Sequence, residues 1–194
     1  MASVRDGHRA VLLVVDAQVG VMAQAWEATR VIANMARAVD RARAQGVPVI
    51  WVQHANDELQ PGTPAWQWVP ELVPAAGETL IPKQYNSAFE DTPLEARLAE
   101  LGATHLVLAG AATGWCIRAT AYGALDRGYD LTLVSDAHST DTLALPDGQR
   151  IEAEGVVRDL NTAITWLRYP GRANAAVPVA QLDFSGPPQR ARWG

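Results

Sequence analysis

The sequence predicts an α/β domain with a doubly wound, mostly parallel sheet of about six strands and helices on both faces. Three observations carry this. Short apolar runs alternate with stretches of helical spacing along the chain. The runs are apolar throughout, as strands buried on both faces require. Polar residues collect immediately after the runs, where open parallel sheets bind ligands.

"AVLLVVDAQ" (10–18) is the first strand, five apolar residues leading into Asp16. "TRVIANMARAVDRARAQG" (29–46) has helical spacing through Val31, Ile32, Met35, Ala38, Val39 and Ala42, and Gly46 suits a C′ stop. "VPVIWVQH" (47–54) is the second strand. Residues 55–83 are rich in Pro, Gly and Trp and read as a long functional loop ending at Lys83. "TPLEARLAELG" (92–102) predicts a helix with Thr92 as N-cap and Pro93 at N1. "HLVLAG" (105–110) is a strand, "WCIRATAYGALDRG" (115–128) a helix stopped by Gly128, and "DLTLVSDA" (130–137) the next strand. A helix is expected over the second half of 148–169, and a last strand in "NAAVPVA" (174–180). One domain spans 1–194, with 185–194 a loosely held tail.

Composition narrows the function. The net charge of −5, with no long basic run, argues against nucleic acid and favours a neutral or cationic small molecule. The single cysteine, Cys116, allows no internal disulfide. The N-terminal apolar run is too short for a signal peptide or a membrane span, so no membrane partner and a cytoplasmic location are expected.

Asp16 and the 110–116 turn each follow a strand, and they share a crevice if those strands are neighbours. Cys116 is placed in the first turn of its helix, where unpaired amides and the macrodipole would lower a thiol pKa. Thr113 can help open that helix. A buried cysteine can equally be a small hydrophobe. A carboxylate at a strand end, an amine from Lys83 and a thiol in one cleft make a Cys–Asp–Lys triad, with Asp16 as proton acceptor and Lys83 holding the charge.

The chain resembles the isochorismatase-like cysteine hydrolase superfamily, which has a three-layer sandwich fold and includes nicotinamidases and N-carbamoylsarcosine amidase-type enzymes. "LLVVDAQVGV" (12–21), "GTPAWQWVPEL" (62–72), "IPKQYNSAFEDTPLEARLAELGATHLVLAGAATGWCIRATAYGALDRGYDLTLVSDAHST" (81–140) and "RDLNTAITWL" (158–167) carry the likeness in the family's order. The resemblance implies Asp16, Lys83 and Cys116 as catalytic residues, a cis peptide at Ala111–Ala112, and an oxyanion hole from the amides of Ala112 and Cys116. It implies a cysteine hydrolase that cleaves an amide, lactam or carbamoyl C–N bond through a thioester. Residues 145–172 are similar to the branch that opens the streptothricin lactam.

Nicotinamidases place a D-x-H metal cluster after the second strand. Here that region reads "VQHANDELQPG", with only His54 and Asp57 as donors, so no metal and no other cofactor is expected. Gln18, His54, Trp66, Tyr85, Phe89 and Trp115 are the substrate-binding candidates; loop aromatics at such a crevice can wall a pocket or form an interface. His138 and Asp136 face the same end, with Asp136 read as a loop holder. A homodimer or homotetramer is expected. The alternative from another class is a non-hydrolytic, thiol-based ligand-binding or redox-sensing protein on the same fold.

Overall fold

The computed structural model describes residues 8–189. Six strands form one parallel sheet in the order β3-β2-β1-β4-β5-β8: β1 (Ala10–Val15), β2 (Val49–His54), β3 (Thr79–Lys83), β4 (His105–Ala111), β5 (Asp130–Ser139) and β8 (Asn174–Val177). A two-stranded hairpin, β6 (Leu143–Ala144) and β7 (Arg150–Ile151), stands apart. The helices are α1 (Val19–Met22), α2 (Ala28–Ala44), α3 (Leu94–Glu100), α4 (Arg118–Asp126) and α5 (Ala153–Trp166).

β1 shows why this is a three-layer structure. Every one of its side chains is buried, and they alternate in destination. Leu12 and Val14 pack against the α2 stripe of Val31, Met35, Ala38, Val39 and Ala42. Val11, Leu13 and Val15 meet Leu94 and Leu98 of α3, Ala121 of α4, and Leu160 and Ile164 of α5. An unbroken apolar run is therefore required: both faces of the strand are covered. The chain builds outward from β1 to β2 and β3, then returns to place β4 on the other side of β1. That reversal is the switch point at which such sheets bind ligands.

Several elements differ from expectation. Residues 55–83 do not stay loop to their end, because 79–83 form the edge strand β3. Pro82 hides this strand from a sequence reading, yet an edge is where proline is tolerated. The rest of the loop is tied down. Glu78 accepts from Arg43 Nε (2.8 Å), Trp51 Nε1 (2.7 Å) and the Ala75 amide (2.8 Å). α3 starts at Leu94 with Pro93 in the cap position, and the Thr92 hydroxyl accepts the Leu94 amide at 3.3 Å. The helix expected from Trp115 begins as a π-helical turn, Thr113–Ile117, before α4 takes over. α5 begins earlier than expected, and β8 stops at Val177, before a 3-10 turn at Val179–Gln181. Gly46 does stand just past α2, at φ +66°. Of the tail, 190–194 lie outside the described residues, as do 1–7 of the N-terminal stretch; at 185–189 Ser185 is tied to Asp183 through its amide (2.9 Å) and hydroxyl. No described helix is long and apolar enough to cross a membrane.

At the switch point β4 comes so close to β1 that only glycine fits. Gly110 has φ +132°, and a Cβ there would lie 1.9 Å from the Val15 carbonyl oxygen. Gly110→Ala is therefore expected to lower stability by at least about 2 kcal/mol, read as a drop in the urea midpoint. A loss under about 0.5 kcal/mol, the range of neutral surface changes, would contradict this packing.

Candidate active site

Parallel pairing brings the ends of four adjacent strands into one row. Lys83 ends β3 in register with His54, which ends β2. Asp16 follows β1, and its amide donates to the Val52 carbonyl at 2.8 Å. β4 lies on the other side of β1 and leads into the turn that carries Cys116. Asp16 turns out of its strand at φ +50°, a conformation aspartate tolerates better than most residues.

Lys83 Nζ is the centre of the cluster. It lies 2.7 Å from Asp16 Oδ2, 3.0 Å from His54 Nδ1, 3.2 Å from the Tyr85 carbonyl oxygen and 3.2 Å from Cys116 Sγ. Lys83 and Asp16 are both almost wholly buried, at 3% and 1% exposure. Cys116 is buried too, and its Sγ also faces Asn86 Oδ1 at 3.8 Å. Asp16 Oδ1 is buried without a hydrogen-bond partner among the described residues.

This geometry corrects the expected electrostatics of the thiol. Burial, reinforced by the Asp16 charge, pushes the Cys116 thiol up to about 12, and the nearby ammonium only partly opposes this. The expected lowering by a helix N-terminus does not prevail, because desolvation of the anion is the larger effect. Burial also raises the Asp16 carboxyl, against the pull of Lys83. Burial and the Lys83 charge lower His54 to about 4, leaving it a neutral acceptor at ordinary pH.

Asp16, His54 and Cys116 each present one donor atom, all within 4.8 Å of one another, which is a spacing that can suit a metal ion. The Lys83 ammonium already bonds to all three. A second cation does not fit this donor set while Lys83 is protonated. Asp57 is exposed and stands outside the group.

The Cys116 turn is braced from behind. The Ala111–Ala112 peptide is cis, and the Ala112 carbonyl accepts the amides of Trp115 (3.0 Å) and Ile117 (3.2 Å). Thr113 Oγ1 lies 2.9 Å from His138 Nδ1, and His138 Nε2 lies 3.0 Å from Asn161 Oδ1. Asn161 Nδ2 donates to the Ser135 carbonyl, which turns its oxygen toward the imidazole. His138 Nε2 is therefore the protonated nitrogen, and Thr113 donates to Nδ1. Burial lowers His138 to about 4, so this chain is neutral. Asn161 was visible as an anomaly: a poor helix former within the apolar stripe of Val157, Leu160 and Ile164. Asp136 accepts the Val179 amide at 2.8 Å and so holds a neighbouring loop.

The remaining candidates divide. Gln18 is fully buried and bonds to main chain only: Nε2 donates to the carbonyls of His54 (3.0 Å) and Trp66 (2.9 Å), and Oε1 accepts the His54 amide (3.0 Å). It clamps the site and does not present its amide to a pocket. Phe89 is a correction: it is 7% exposed, stacks on Tyr129 at 6.1 Å and lies under Arg127 at 4.7 Å, so it belongs to the core. Trp66 is half-buried and gives its carbonyl to Gln18 and Gln53. Tyr85 and Trp115 are exposed, at 53% and 51%. Tyr85 lines an open cleft of about 410 Å³ with Lys83, Gln84, Pro82 and Ala55. A second cleft, of about 310 Å³, opens on Ala112 and is lined by Gly20, Gln24, Glu58, Leu59 and Asp141.

The chain is 35% identical over 139 residues to a streptothricin hydrolase from Streptomyces noursei, covering 66% of this chain. It spans about half of that relative's length (54%). It is 31% identical to the ureidoacrylate amidohydrolase RutB of Methylobacterium radiotolerans, over 77% of this chain and 72% of the relative. Its fold matches an isochorismatase from Pseudomonas putida KT2440 with a TM-score of 0.81, at 32% identity and 90% coverage of each chain. Residues 10–167 match the isochorismatase domain, and the chain belongs to that family.

Proposed function

We propose that the chain is a cysteine-dependent hydrolase that cleaves a C–N bond of a small amide, lactam or carbamoyl substrate through a thioester. The observation that carries this is the shared ammonium: Lys83 Nζ bonds to both Asp16 Oδ2 and Cys116 Sγ at the end of the switch-point strands. Asp16 Oδ1, buried and unpaired, is the oxygen that takes the thiol proton. A carboxyl raised by burial is suited both to take that proton and to return it.

In the first half-reaction the Cys116 Sγ–H proton passes to Asp16 as the S–C bond forms. The carbonyl π pair moves onto oxygen, and the amides of Ala112 and Cys116 receive it. Collapse breaks the C–N bond, and Asp16 gives its proton to the departing nitrogen. In the second half, Asp16 takes a proton from water as the water oxygen attacks the thioester. The C–S bond then breaks, and the proton returns to sulfur. Because the resting group is a neutral thiol, attack and proton transfer to Asp16 are coupled. A raised, buried thiol is a poor redox sensor, since those need accessible thiolates.

The relatives act, by their names, on streptothricin and on ureidoacrylate. The cleft at Ala112 carries Glu58 and Asp141 and no Lys or Arg in its lining. That favours a cationic lactam or amide of the streptothricin type over an anionic ureido acid. A cytoplasmic location belongs to the same reading, since a single cysteine leaves no internal disulfide that would call for an oxidising compartment. A homodimer or homotetramer suits the exposed Trp115, Leu80 and Val73, and light scattering tests it.

A screen of lactams, amides and carbamoyl compounds, followed by ring opening or ammonia release, is expected to find a cationic substrate. Cys116→Ala and Asp16→Asn should each lower kcat by about a thousandfold or more; near-wild-type turnover by either overturns the scheme. Alkylation of free enzyme by iodoacetamide gives an independent check. With the thiol at about 12, the rate should climb steadily from about pH 7 to pH 10, because the thiolate fraction grows tenfold per unit. A plateau near the ordinary thiol value of about 8.5 would contradict the burial argument.

A further inference from the structure

Lys83 has three protons and no acceptor capacity, yet four acceptors surround its Nζ. Two of them trade negative charge in the proposed reaction: the Asp16 carboxylate loses it on taking the thiol proton, and Cys116 Sγ carries it in passing as that proton leaves and the S–C bond forms. The other two, His54 Nδ1 and the Tyr85 carbonyl, are neutral throughout. The ammonium must therefore serve each anion in turn while its position stays fixed.

His54 is built for that task. It lies beside Lys83 in the β2–β3 register. Its main chain is gripped on both sides by one side chain, since Gln18 Oε1 accepts the His54 amide and Gln18 Nε2 donates to the His54 carbonyl, each at 3.0 Å. Gln18 has no exposed surface and has no bond that would take it elsewhere than the main chain of His54 and Trp66. Because Lys83 can only donate, Nδ1 is the unprotonated nitrogen.

We infer that His54 is a positioning residue for Lys83: clamped by Gln18, its imidazole accepts one ammonium proton and, with the Tyr85 carbonyl, fixes Nζ while the third proton turns from Asp16 to Cys116. The inference rests on the hydrolytic reading above. It moves His54 from substrate contact to the support of the ammonium. The imidazole passes no proton; its lowered value of about 4 leaves it neutral across the working pH range.

The test pairs two replacements, one that keeps an acceptor and one that keeps a ring. In His54→Asn the side-chain oxygen sits near the place of Nδ1 and accepts, but cannot relay protons. His54→Phe keeps the ring and loses the acceptor. His54→Phe is expected to lower kcat by about 10- to 100-fold, as misplacement near a reacting centre does, with KM changed less than about threefold. Its rate of iodoacetamide alkylation at fixed pH should fall, because the thiolate loses a well-placed cation. His54→Asn should recover most of both. Thermal melting of each variant confirms that it is folded. The inference is overturned if His54→Phe alkylates and turns over like wild type. A raised KM at unchanged kcat would make His54 a substrate contact instead, and a dead, folded His54→Asn would make it a proton carrier. Alkylation needs no substrate, so it still reads His54 if Cys116→Ala shows the hydrolytic proposal to be wrong.

Discussion

A buried ammonium organises this protein's site. Lys83 is 3% exposed and bonds to groups from three strand ends and the Cys116 turn. A cation so far from water persists only when paired and hydrogen-bonded. Asp16 meets the charge, and neutral acceptors complete the shell. Removing one partner of such a pair strands the other, at a cost of about 3–5 kcal/mol. The same contact therefore couples stability to chemistry: the four strands must be in register for Lys83 to be tolerated, and when they are, carboxylate and thiol stand side by side.

The register is enforced away from the chemistry. Gly110 lets β4 lie against the end of β1, so the Cys116 turn starts beside Asp16. Gln18 and Gln53 both donate to the Trp66 carbonyl, and Glu78 holds Arg43, Trp51 and the Ala75 amide together. A long Pro- and Gly-rich segment thus becomes a fixed wall. On the other side, the neutral Thr113–His138–Asn161 chain supports the turn without adding charge. Placing no further ion there matters, because another charge would shift the balance between Asp16 and Cys116.

That balance distinguishes this site from a preformed thiolate. Burial outweighs the ammonium at Cys116, which favours the neutral thiol, and it raises the Asp16 carboxyl against the pull of Lys83. A buried thiol held in its neutral form resists oxidation and stray alkylation. The cleft at Ala112 presents Glu58 and Asp141 and no Lys or Arg in its lining.

Much of this was legible in the amino-acid sequence. Unbroken apolar runs such as 11–15 demand burial on both faces, so the parallel sheet and its helical layers follow from hydrophobicity alone. Polar residues at strand ends and at the end of the long loop then single out Asp16, Cys116 and Lys83, and the family resemblance implies the same three. Other features were out of reach because they depend on neighbours distant in the chain. Pro82 conceals β3, which exists because β2 offers it a partner. Phe89 looked like a pocket aromatic until Tyr129 and Arg127 enclosed it, and Gln18 looked like a ligand contact until His54 and Trp66 took all its bonds. The thiol's state was least accessible of all. A helix start is a local feature and predicts a lowered pKa; desolvation is set by everything packed around the sulfur. Local pattern therefore determined which residues carry the site, and only the tertiary structure decided their charge, because burial is a property of the whole fold.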